Sequence, residues 1–358
     1  MRRVFNFSAG PAVLPAEVLR RAQADLVEFR SLGHSIMEAS HRSPAYESVH
    51  NDVIERLRRL LQLADDQHIL LLAGGATLQF AMVPMNLHAG RDCCYAITGS
   101  WGSKAYKDAA TVGNARVVYD GKANSYTAIP TNGELEVSSD AAYLHITSNE
   151  TIEGVQWQQL PEVDCPLAVD MSSDILSRQR DMSRVDLFYA GAQKNLGPAG
   201  VTVVGIRQSL LERIPGDLPA YLSYTTHQAK NSLYNTPPVW NIYVVGLVLE
   251  WIEHEGGIDA IGTRNAGKAA AVYDAIDGSD GFYRNPVDAT VRSMMNIVFR
   301  LPSPELEAAF LASAADRGLV GLKGHRSVGG IRASLYNAMP EEGVSALVEH
   351  MQSFARNA

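Results

Sequence analysis

The sequence has few cysteines, and their positions argue against two kinds of site. Only three occur among 358 residues: Cys93 and Cys94 are adjacent, and Cys165 precedes a proline. This spacing is neither that of a zinc site nor that of a disulfide framework. We therefore expect a protein of a reducing compartment, without a metal site.

Long apolar runs are lacking as well. The N-terminus carries two arginines but no apolar segment of the kind that directs secretion. The longest apolar run, residues 242–252, is too short to cross a bilayer and contains Glu250. Together with the cysteine usage, these features predict a soluble cytoplasmic protein.

Positive charge is also limited. Lys and Arg number 31 against 39 Asp and Glu, which gives a net charge of −8. Non-specific binding to nucleic acids needs clustered Lys and Arg to displace counterions, so this class of partner is not expected. The chain also lacks the three-glycine dinucleotide fingerprint and the Gly-Lys-Ser/Thr phosphate loop.

The rest of the sequence has the pattern of an α/β protein. From about residue 16 to residue 255, short apolar segments alternate with amphipathic segments of helix length. The predicted strands span residues 68–73, 93–98, 116–119, 142–147, 167–170, 185–190 and 201–206. The predicted helices span residues 16–29, 45–61, 77–87, 103–112 and 239–254. This alternation indicates a mostly parallel sheet that helices cover on both faces.

After residue 256 the pattern changes to mixed helices and short strands. The predicted helices there span residues 258–276, 304–317 and 340–356, and the predicted strands span 293–301 and 330–335, with a short one near Leu319. We predict a large α/β domain, residues 16–260, with a mostly parallel seven-stranded sheet between helices. Residues 261–358 are expected to form a smaller α+β domain together with residues 1–15.

Lysine is scarce too, with seven in the chain, and one has an unusual setting. Lys194 follows the apolar segment 185–190 and precedes a Gly/Pro break and a second apolar segment, 201–206. A lysine at the end of a buried strand loses hydration, which lowers the pKa of its amine and lets the neutral form attack a carbonyl. Lys194 is therefore a candidate to form a Schiff base. The alternative is a surface lysine in a turn between two strands.

A Schiff-base enzyme that uses pyridoxal phosphate needs a carboxylate for the ring nitrogen and backbone donors for the phosphate. Asp170 ends the apolar segment 166–170 and suits the first role, although an acid there could equally turn the chain or cap a helix. Residues 74–77 (GGAT) join a predicted strand to a predicted helix and suit the second role, because small residues let the backbone approach a phosphate. An ordinary strand-to-helix turn is the alternative.

An aromatic and a hydroxyl side chain also follow predicted strands. Trp101 lies among glycines that leave its face accessible for stacking on a ring. Thr151, in residues 148–154, is placed to reach an oxygen of that ring. A core tryptophan and a capping threonine are the alternatives.

Two basic clusters complete the candidate residues. His41 and Arg42 lie between predicted helices, and His325 and Arg326 lie among glycines. Arg332 falls within an apolar segment, where an arginine needs an anion or a carboxylate partner. Because Arg binds carboxylates and phosphates through two N–H groups, these clusters favour a small substrate with two or three negative charges. Solvated surface arginines are the alternative.

Through long motifs spread over nearly its whole length, the chain resembles the phosphoserine aminotransferases, a family of fold-type I pyridoxal-phosphate enzymes. The motifs are residues 5–12 (FNFSAGPA), 37–42 (MEASHR), 149–154 (NETIEG), 170–173 (DMSS), 189–200 (YAGAQKNLGPAG), 234–238 (YNTPP) and 324–334 (GHRSVGGIRAS). The resemblance implies a homodimer whose large domain binds pyridoxal 5'-phosphate.

The resemblance also implies a role for each residue at a matching position. Lys194 is expected to form the Schiff base and to move the substrate's α-proton, and Asp170 to pair with the pyridinium nitrogen. Trp101 is expected to stack on the ring, and Thr151 to hydrogen-bond to its hydroxyl oxygen. The residues expected at the cofactor phosphate are Ala76, Thr77 and Gln193 and, from the neighbouring subunit, Asn235 and Thr236.

For the substrate, the resemblance implies that Arg332 binds the α-carboxylate. The residues expected to bind the substrate phosphate, or the side-chain carboxylate of glutamate, are His41, Arg42, His325 and Arg326. Some family members carry an arginine where this chain has Thr77, which adds a cation for the substrate phosphate. In this chain that contact is absent or replaced.

The expected reaction is reversible amino transfer from L-glutamate to 3-phosphohydroxypyruvate, giving O-phospho-L-serine and 2-oxoglutarate in serine biosynthesis. Family members often also convert 3-hydroxy-2-oxo-4-phosphooxybutanoate to 4-phosphohydroxy-L-threonine in pyridoxine biosynthesis. A cysteine desulfurase needs a mobile thiol, which the predicted positions of the cysteines argue against. An alanine–glyoxylate aminotransferase would not need two His-Arg pairs. An inactive phosphate-binding α/β protein is the alternative from a different class.

Overall fold

The structure is a computed structural model that describes residues 4–358. Its helices are α1 (Ala16–Ala24), α2 (Pro44–Leu60), α3 (Gly75–Leu87), α4 (Ser100–Val112), α5 (Gln208–Leu211), α6 (Tyr224–Ala229), α7 (Val239–His254), α8 (Gly257–Asp277), α9 (Pro304–Asp316) and α10 (Glu341–Asn357). Its strands are β1 (Phe5–Asn6), β2 (Gln67–Leu72), β3 (Cys93–Ile97), β4 (Ala115–Asp120), β5 (Tyr143–Thr147), β6 (Asn149–Glu150), β7 (Val155–Gln156), β8 (Leu167–Asp170), β9 (Leu187–Gly191), β10 (Thr202–Arg207), β11 (Asn296–Phe299), β12 (Leu319–Val320) and β13 (Ile331–Ser334).

Seven strands form one large sheet in the order β2-β10-β9-β8-β5-β3-β4. Strand β10 is antiparallel to both of its neighbours, and the other pairs are parallel. All seven strands were predicted from their apolar character, and the predicted fold class, α/β with a mostly parallel seven-stranded sheet, is confirmed. The pairing order and the reversed direction of β10 were not predicted.

The large sheet is covered on both faces, which explains the uninterrupted apolar strands. In β2, Ile69 and Leu71 belong to one apolar cluster, whereas Leu70 and Leu72 belong to a second. Alternate residues of a strand point to opposite faces, so the two clusters lie on the two sides of the sheet. Helices α2 and α7 pack on the first side, and α3 and α4 on the second.

The ends of several helices differ from the prediction, for local reasons. Helix α1 ends at Ala24 rather than near residue 29, and Arg30 and Ser31 then adopt positive φ angles of 46° and 63°, which a right-handed helix does not contain. Helix α3 begins earlier than predicted, directly after Gly74, whose φ of 94° reverses the chain between strand and helix.

The C-terminal part has an apolar core of its own. Apolar residues between positions 269 and 351 pack together and include Phe7 and Val13 from the N-terminal segment. Strand β1 pairs in parallel with β12, and β11 pairs antiparallel with β13. Phe7 and Val13 thus pack with the C-terminal part, and the grouping of residues 1–15 with 261–358 stays a prediction, of which residues 1–3 lie outside the described residues. Among residues 4–358, no helix has the length and apolar character needed to cross a membrane.

Candidate active site

The carboxyl ends of β2, β3, β5, β8 and β9 lie along one edge of the large sheet, because these strands run in the same direction. The segments that follow them surround a single cavity. The predicted cofactor residues that line this cavity are Ala76, Thr77, Trp101, Thr151, Asp170, Gln193 and Lys194.

Lys194 lies in the turn that connects β9 to the antiparallel strand β10. The turn is held by backbone hydrogen bonds, among them Ala192 N to Val201 O at 2.9 Å and Gly197 N to Ala192 O at 2.8 Å. Nζ of Lys194 donates to Oγ1 of Thr151 at 2.6 Å. The lysine is therefore directed into the cavity, and the alternative of a surface lysine in a turn is wrong.

The environment of Lys194 favours a reactive amine. Burial lowers the pKa of Lys194 to about 8, against the opposing influence of the negative charges on Asp170 and Glu150. A substantial fraction of the amine is consequently neutral near physiological pH. A neutral amine is the nucleophilic form that attacks a carbonyl carbon.

Asp170, at the end of β8, lies 4% exposed beside this amine. Its Oδ1 accepts hydrogen bonds from the backbone N of Ser172 at 2.9 Å and from Oγ of Ser172 at 2.6 Å. Burial raises the pKa of the Asp170 carboxyl, although the hydrogen bonds from Ser172 and the charge of Lys194 oppose this. The carboxylate is thus held in a fixed position where a cation would be strongly favoured.

The N-terminus of α3 faces the same cavity. Gly74 and Gly75 have φ angles of 94° and 68°, which non-glycine residues rarely adopt, and no side chain of the described residues caps the helix. The first-turn N–H groups at Ala76 and Thr77 therefore point out of the helix end without intrahelical partners. Such a helix end attracts anions, and phosphate in particular.

Trp101 lies in the first turn of α4 and lines the same cavity. Nζ of Lys194 is 5.7 Å from the centre of the indole ring. The backbone N of Trp101 donates to Oε2 of Glu150 at 3.0 Å, and the backbone N of Gly102 donates to Oε1 of Glu150 at 2.9 Å. The indole is therefore positioned by a carboxylate about fifty residues further along the chain.

Arg332 extends from β13 toward the turn that contains Thr151. Its Nη1 donates to the backbone O of Thr151 at 3.2 Å. The residue thus links the C-terminal part of the chain to the turn whose hydroxyl binds Lys194. An arginine in an apolar segment was expected to have an anion or a carboxylate partner. In the structure, Arg332 has this carbonyl as its hydrogen-bond acceptor, and the negative charge of Glu153 acts on it.

The other predicted substrate residues are not all brought together within one chain. The pKa of the His325 imidazole is lowered, first by burial and then by the positive charges of Arg332 and Arg326. Nε2 of His41 is buried without a hydrogen-bond partner among residues 4–358, and Arg42 is exposed. No hydrogen bond between described residues joins His41 or Arg42 to His325 or Arg326.

Asn235 and Thr236 also lie outside the cavity of their own chain. Both are exposed, next to Tyr234, which is 45% exposed. Neither residue is among those that line the cavity around Lys194. Their predicted contact with a cofactor phosphate therefore requires a second copy of the chain.

Comparison with known proteins decides the family. The family model for "Aminotransferase class-V" matches residues 4–347. The chain is 54% identical to the phosphoserine aminotransferase of Geobacillus kaustophilus, over 99% of both chains. It belongs to the class-V aminotransferases.

Solved structures of aminotransferases share this fold closely. The phosphoserine aminotransferase of Bacillus circulans subsp. alkalophilus matches with a TM-score of 0.97 and 52% identity over 99% of both chains. The PLP-bound phosphoserine aminotransferase of Trichomonas vaginalis matches with a TM-score of 0.93 and 39% identity, over 98% of this chain and 100% of that one. The predicted resemblance is confirmed.

The cavity of this aminotransferase fits pyridoxal phosphate at both of its ends. The hydrogen bonds that Asp170 accepts from described residues use Oδ1 alone, so Oδ2 is available to a protonated ring nitrogen. At the other end, a Cβ added at Gly75 would meet no atom within 4 Å, which leaves space at the open end of α3 for a phosphate. Trp101 lines the same cavity, where its aromatic side chain is available to stack on the ring.

The cysteines of this aminotransferase do not suit the desulfurase alternative. Cys93, Cys94 and Cys165 are all free and buried. Burial raises the pKa of the thiols of Cys93 and Cys165 to about 11. A buried thiol that stays protonated cannot serve as the mobile nucleophile of a desulfurase.

Three residues of the site were missed at the level of sequence. Ser172 orients Asp170, and Glu150 and Glu153 bind the first turn of α4. All three lie within motifs that carry the family resemblance. The available signal for the two glutamates was a pair of acids three residues apart that directly follows a buried strand.

Proposed function

We propose that this aminotransferase transfers an amino group reversibly between L-glutamate and 3-phosphohydroxypyruvate, forming O-phospho-L-serine and 2-oxoglutarate. The observation that carries this proposal is the identity of 54%, over 99% of both chains, to a protein named phosphoserine aminotransferase. The reaction would supply serine biosynthesis. Arg332, which reaches the backbone O of Thr151 beside Lys194, supports a substrate that carries a carboxylate.

The cofactor is pyridoxal phosphate. When bound, it supplies an electrophilic carbon for amines and a ring that accepts the electron pair left by a proton removed from the substrate Cα. Ala76, Thr77 and Gln193 would hold its phosphate, and Trp101 would cover one face of its ring. Each of these residues lines the cavity.

Lys194 is proposed to act as nucleophile and as the base that accepts the substrate's α-proton at Nζ. The lowered pKa, about 8, suits this task because both protonation states are then accessible near neutral pH. Oγ1 of Thr151, which accepts a hydrogen bond from Nζ, orients the amine. Asp170 would keep the ring nitrogen protonated through its Oδ2, and Ser172 fixes the carboxylate in that position.

The substrate is proposed to bind on the side of the cavity where Arg332 lies. Arg332 would bind the α-carboxylate, since it already reaches the backbone O of Thr151 beside Lys194. The residues proposed for the phosphate, or for the side-chain carboxylate of glutamate, are His41, Arg42, His325 and Arg326. A small substrate with a charged group at each end would thus be oriented by Arg332 at one end and by these His and Arg side chains at the other.

The active unit is proposed to be a homodimer. Asn235 and Thr236 are exposed and lie outside the cavity of their own chain, as residues that reach the cofactor phosphate of a partner would. Exposed apolar residues occur between positions 26 and 37, including Val27 at 80% and Met37 at 52% exposure. Exposed apolar surface of this kind suits contact with a second copy.

Two further proposals concern a second substrate and the location of the enzyme. The enzyme would also form 4-phosphohydroxy-L-threonine from 3-hydroxy-2-oxo-4-phosphooxybutanoate, because the same cationic groups would bind its phosphate. The location of the reaction in the cytoplasm stays a prediction from the sequence.

The decisive experiment measures transamination from glutamate to three acceptors: 3-phosphohydroxypyruvate, pyruvate and glyoxylate. We expect a much higher kcat/KM for the phosphorylated acceptor, because pyruvate and glyoxylate have no phosphate for the two His-Arg pairs to bind. Equal use of all three would exclude the phosphate assignment. A protein without a visible absorption band that responds to glutamate would exclude the cofactor chemistry altogether.

A further inference from the structure

Two buried carboxyl groups, Glu150 and Glu153, have no role in the proposed chemistry. They lie 0% and 8% exposed in the turn that follows β5, one on each side of Thr151. Glu150 accepts from the backbone N of Trp101 and Gly102, as described above. Glu153 accepts, through Oε1, from the backbone N of Ser100 at 3.1 Å and from Oγ of Ser100. Three consecutive N–H groups of the first turn of α4 are therefore bound by these two side chains.

Helix α4 depends on this external cap. Its N-cap residue is Gly99, which has no side chain to accept a hydrogen bond from the first turn. A Cβ at Gly99 would lie 2.5 Å from Cδ of Glu150, so the close approach of the carboxyl group requires glycine at this position. The placement of the Trp101 ring thus follows from the contact between Glu150 and the helix end.

The same turn also contacts the amine and the guanidinium of the site. Oγ1 of Thr151 accepts from Nζ of Lys194, and the backbone O of Thr151 accepts from Arg332. A shift of the turn would therefore move the ring of Trp101, the amine and the guanidinium relative to one another. Residues 150–153 thus contact all three groups and hold them in position.

The electrostatics of the pair indicate a single negative charge. Burial raises the pKa of both carboxyls, and the charge of Glu153 raises the pKa of Glu150 further, although the hydrogen bonds from the first turn of α4 oppose both shifts. Oε2 of Glu153 is buried and has no hydrogen-bond partner among residues 4–358, so it is free to carry a proton. The positive end of the helix dipole favours the one remaining negative charge. The other titratable groups whose charges act on the pair, or on which it acts, are Asp170, Lys194, Arg332, Tyr126 and Tyr189.

We propose that Glu150 and Glu153 are positioning residues of which only one is ionised: they fix Trp101 against the turn that binds Lys194 and Arg332, and together they contribute one negative charge to the site. The proposal assigns different functions to the two members. Glu150 uses both oxygens as acceptors and sets the geometry of the indole. Glu153 uses one oxygen and carries the proton on the other.

The test compares Glu150→Gln, Glu153→Gln and the double variant in the holoenzyme by titrating its visible absorption with pH. If the pair holds one charge, either single substitution leaves that charge in place, and the midpoint of the titration stays within about 0.3 pH unit of wild type. The double variant loses the charge, and its midpoint falls by on the order of one pH unit, because a negative charge stabilises the protonated form of the Lys194 nitrogen that the absorption reports. A single variant that lowers the midpoint about half as far as the double variant would show that both groups are ionised. A single variant that lowers it as far as the double variant would show that this residue alone holds the charge. Either result would overturn the proposal.

The geometric part is tested without reference to activity. The chain contains four tryptophans, so incorporation of 5-fluorotryptophan gives four fluorine resonances, and Trp101→Phe identifies the relevant one. Glu150→Gln should shift this resonance in both apoenzyme and holoenzyme, because an amide NH2 cannot accept from Trp101 or Gly102. Glu153→Gln should leave it unchanged, since the amide oxygen keeps both contacts with Ser100 while the NH2 replaces the protonated oxygen.

Two further variants keep the test decisive. Gly99→Ala should shift the Trp101 resonance as Glu150→Gln does, through steric displacement of the Glu150 side chain, and it replaces that variant if Glu150→Gln does not fold. Glu134→Gln is the matched control, because Glu134 accepts from Thr131 N and Oγ1, both at 2.8 Å, in the capping box of a short exposed 3-10 helix (Asn132–Glu134) and does not line the cavity. An unchanged Trp101 resonance in Glu150→Gln or in Gly99→Ala would contradict the positioning role.

The inference rests on the proposed function only where it uses the absorption of the bound cofactor. If the wild-type protein has no absorption band that titrates with pH, the proposed function fails, whereas the fluorine resonances still test the geometry. If the wild type has that band and the variants do not follow the pattern above, the proposed function stands and this inference fails.

Discussion

Asp170 offers the sharpest test of how the site works. Replacement by asparagine preserves the shape of the side chain and leaves an amide oxygen that can still accept from the backbone N and the hydroxyl of Ser172, now at 2.9 and 2.6 Å. The variant therefore removes a negative charge with little change in local structure. What it takes away is the only carboxylate proposed to face the ring nitrogen.

The magnitude follows from the burial of the carboxylate. Asp170 is 4% exposed, so solvent contributes little to screening its charge. Loss of a preorganised electrostatic contact of this kind lowers kcat by about 10²–10³-fold. Asp170 also opposes the lowering of the Lys194 pKa. Its removal should therefore move the midpoint of the lysine titration to lower pH.

Asp181 provides a matched control within the same chain. Residues 170–172 and 181–183 share the sequence Asp-Met-Ser, and the backbone N of Ser183 donates to Oδ1 of Asp181 at 2.9 Å, as Ser172 does to Asp170. Asp181, however, is exposed at the surface. Asp181→Asn should therefore leave kcat unchanged, whereas Asp170→Asn should lower it strongly.

The assay combines steady-state kinetics, the pH dependence of the visible absorption and thermal unfolding of the apoenzyme. We expect Asp170→Asn to fold normally, because the substitution also removes the cost of a buried charge. Retention of more than a tenth of the wild-type kcat would refute the electrostatic argument. A large fall in the melting temperature of the apoenzyme would show instead that the carboxylate acts mainly on the fold.

Four further predictions test other parts of the site and fold. Lys194→Met should abolish transamination yet raise the free energy of unfolding of the apoenzyme by about 1–3 kcal/mol below pH 8. This gain in stability should shrink between about pH 8 and 10.5, because the folded wild type there releases a proton that its unfolded chain still holds. Arg42→Ala should raise KM for the phosphorylated acceptor at least tenfold without loss of cofactor absorption, and loss of that absorption would show that Arg42 is misplaced. Mixed dimers of Lys194→Ala and Asn235→Ala subunits should regain activity that neither homodimer has, because one of the two sites then has both native residues; no recovery would argue against the shared site. Gly205→Ala should destabilise the fold by about 1–3 kcal/mol in denaturant unfolding, because its Cβ would lie 2.0 Å from the ring of Phe188.

The arrangement of strands and helices was largely predictable, since the apolar segments of the large sheet are continuous. The sequence of β2 illustrates why: both faces of the strand are buried, so no polar residue interrupts residues 69–72. The direction of β10 was not predictable, because a strand buried on both faces has the same apolar pattern whether it runs parallel or antiparallel.

The part of the site that lies on single segments was also predictable. Asp170 ends a recognisable buried strand, Lys194 and Trp101 each follow one, and the structure brings the three residues to one cavity. Glu150 was missed because its function is a contact with a helix that begins fifty residues earlier, which no local pattern records. The contribution of Asn235 was expected only from the family resemblance, because a contact between two copies leaves no periodicity in one sequence.

The common direction of the strands has a consequence for engineering this enzyme. The groups that line the cavity lie at or after the carboxyl ends of strands of the large sheet, so the connections at the opposite edge, such as those near residues 90 and 140, contribute none of them. New termini or inserted domains placed in those connections should leave the cavity intact. One rim of the sheet is thus constrained by catalysis, and the other is open to redesign.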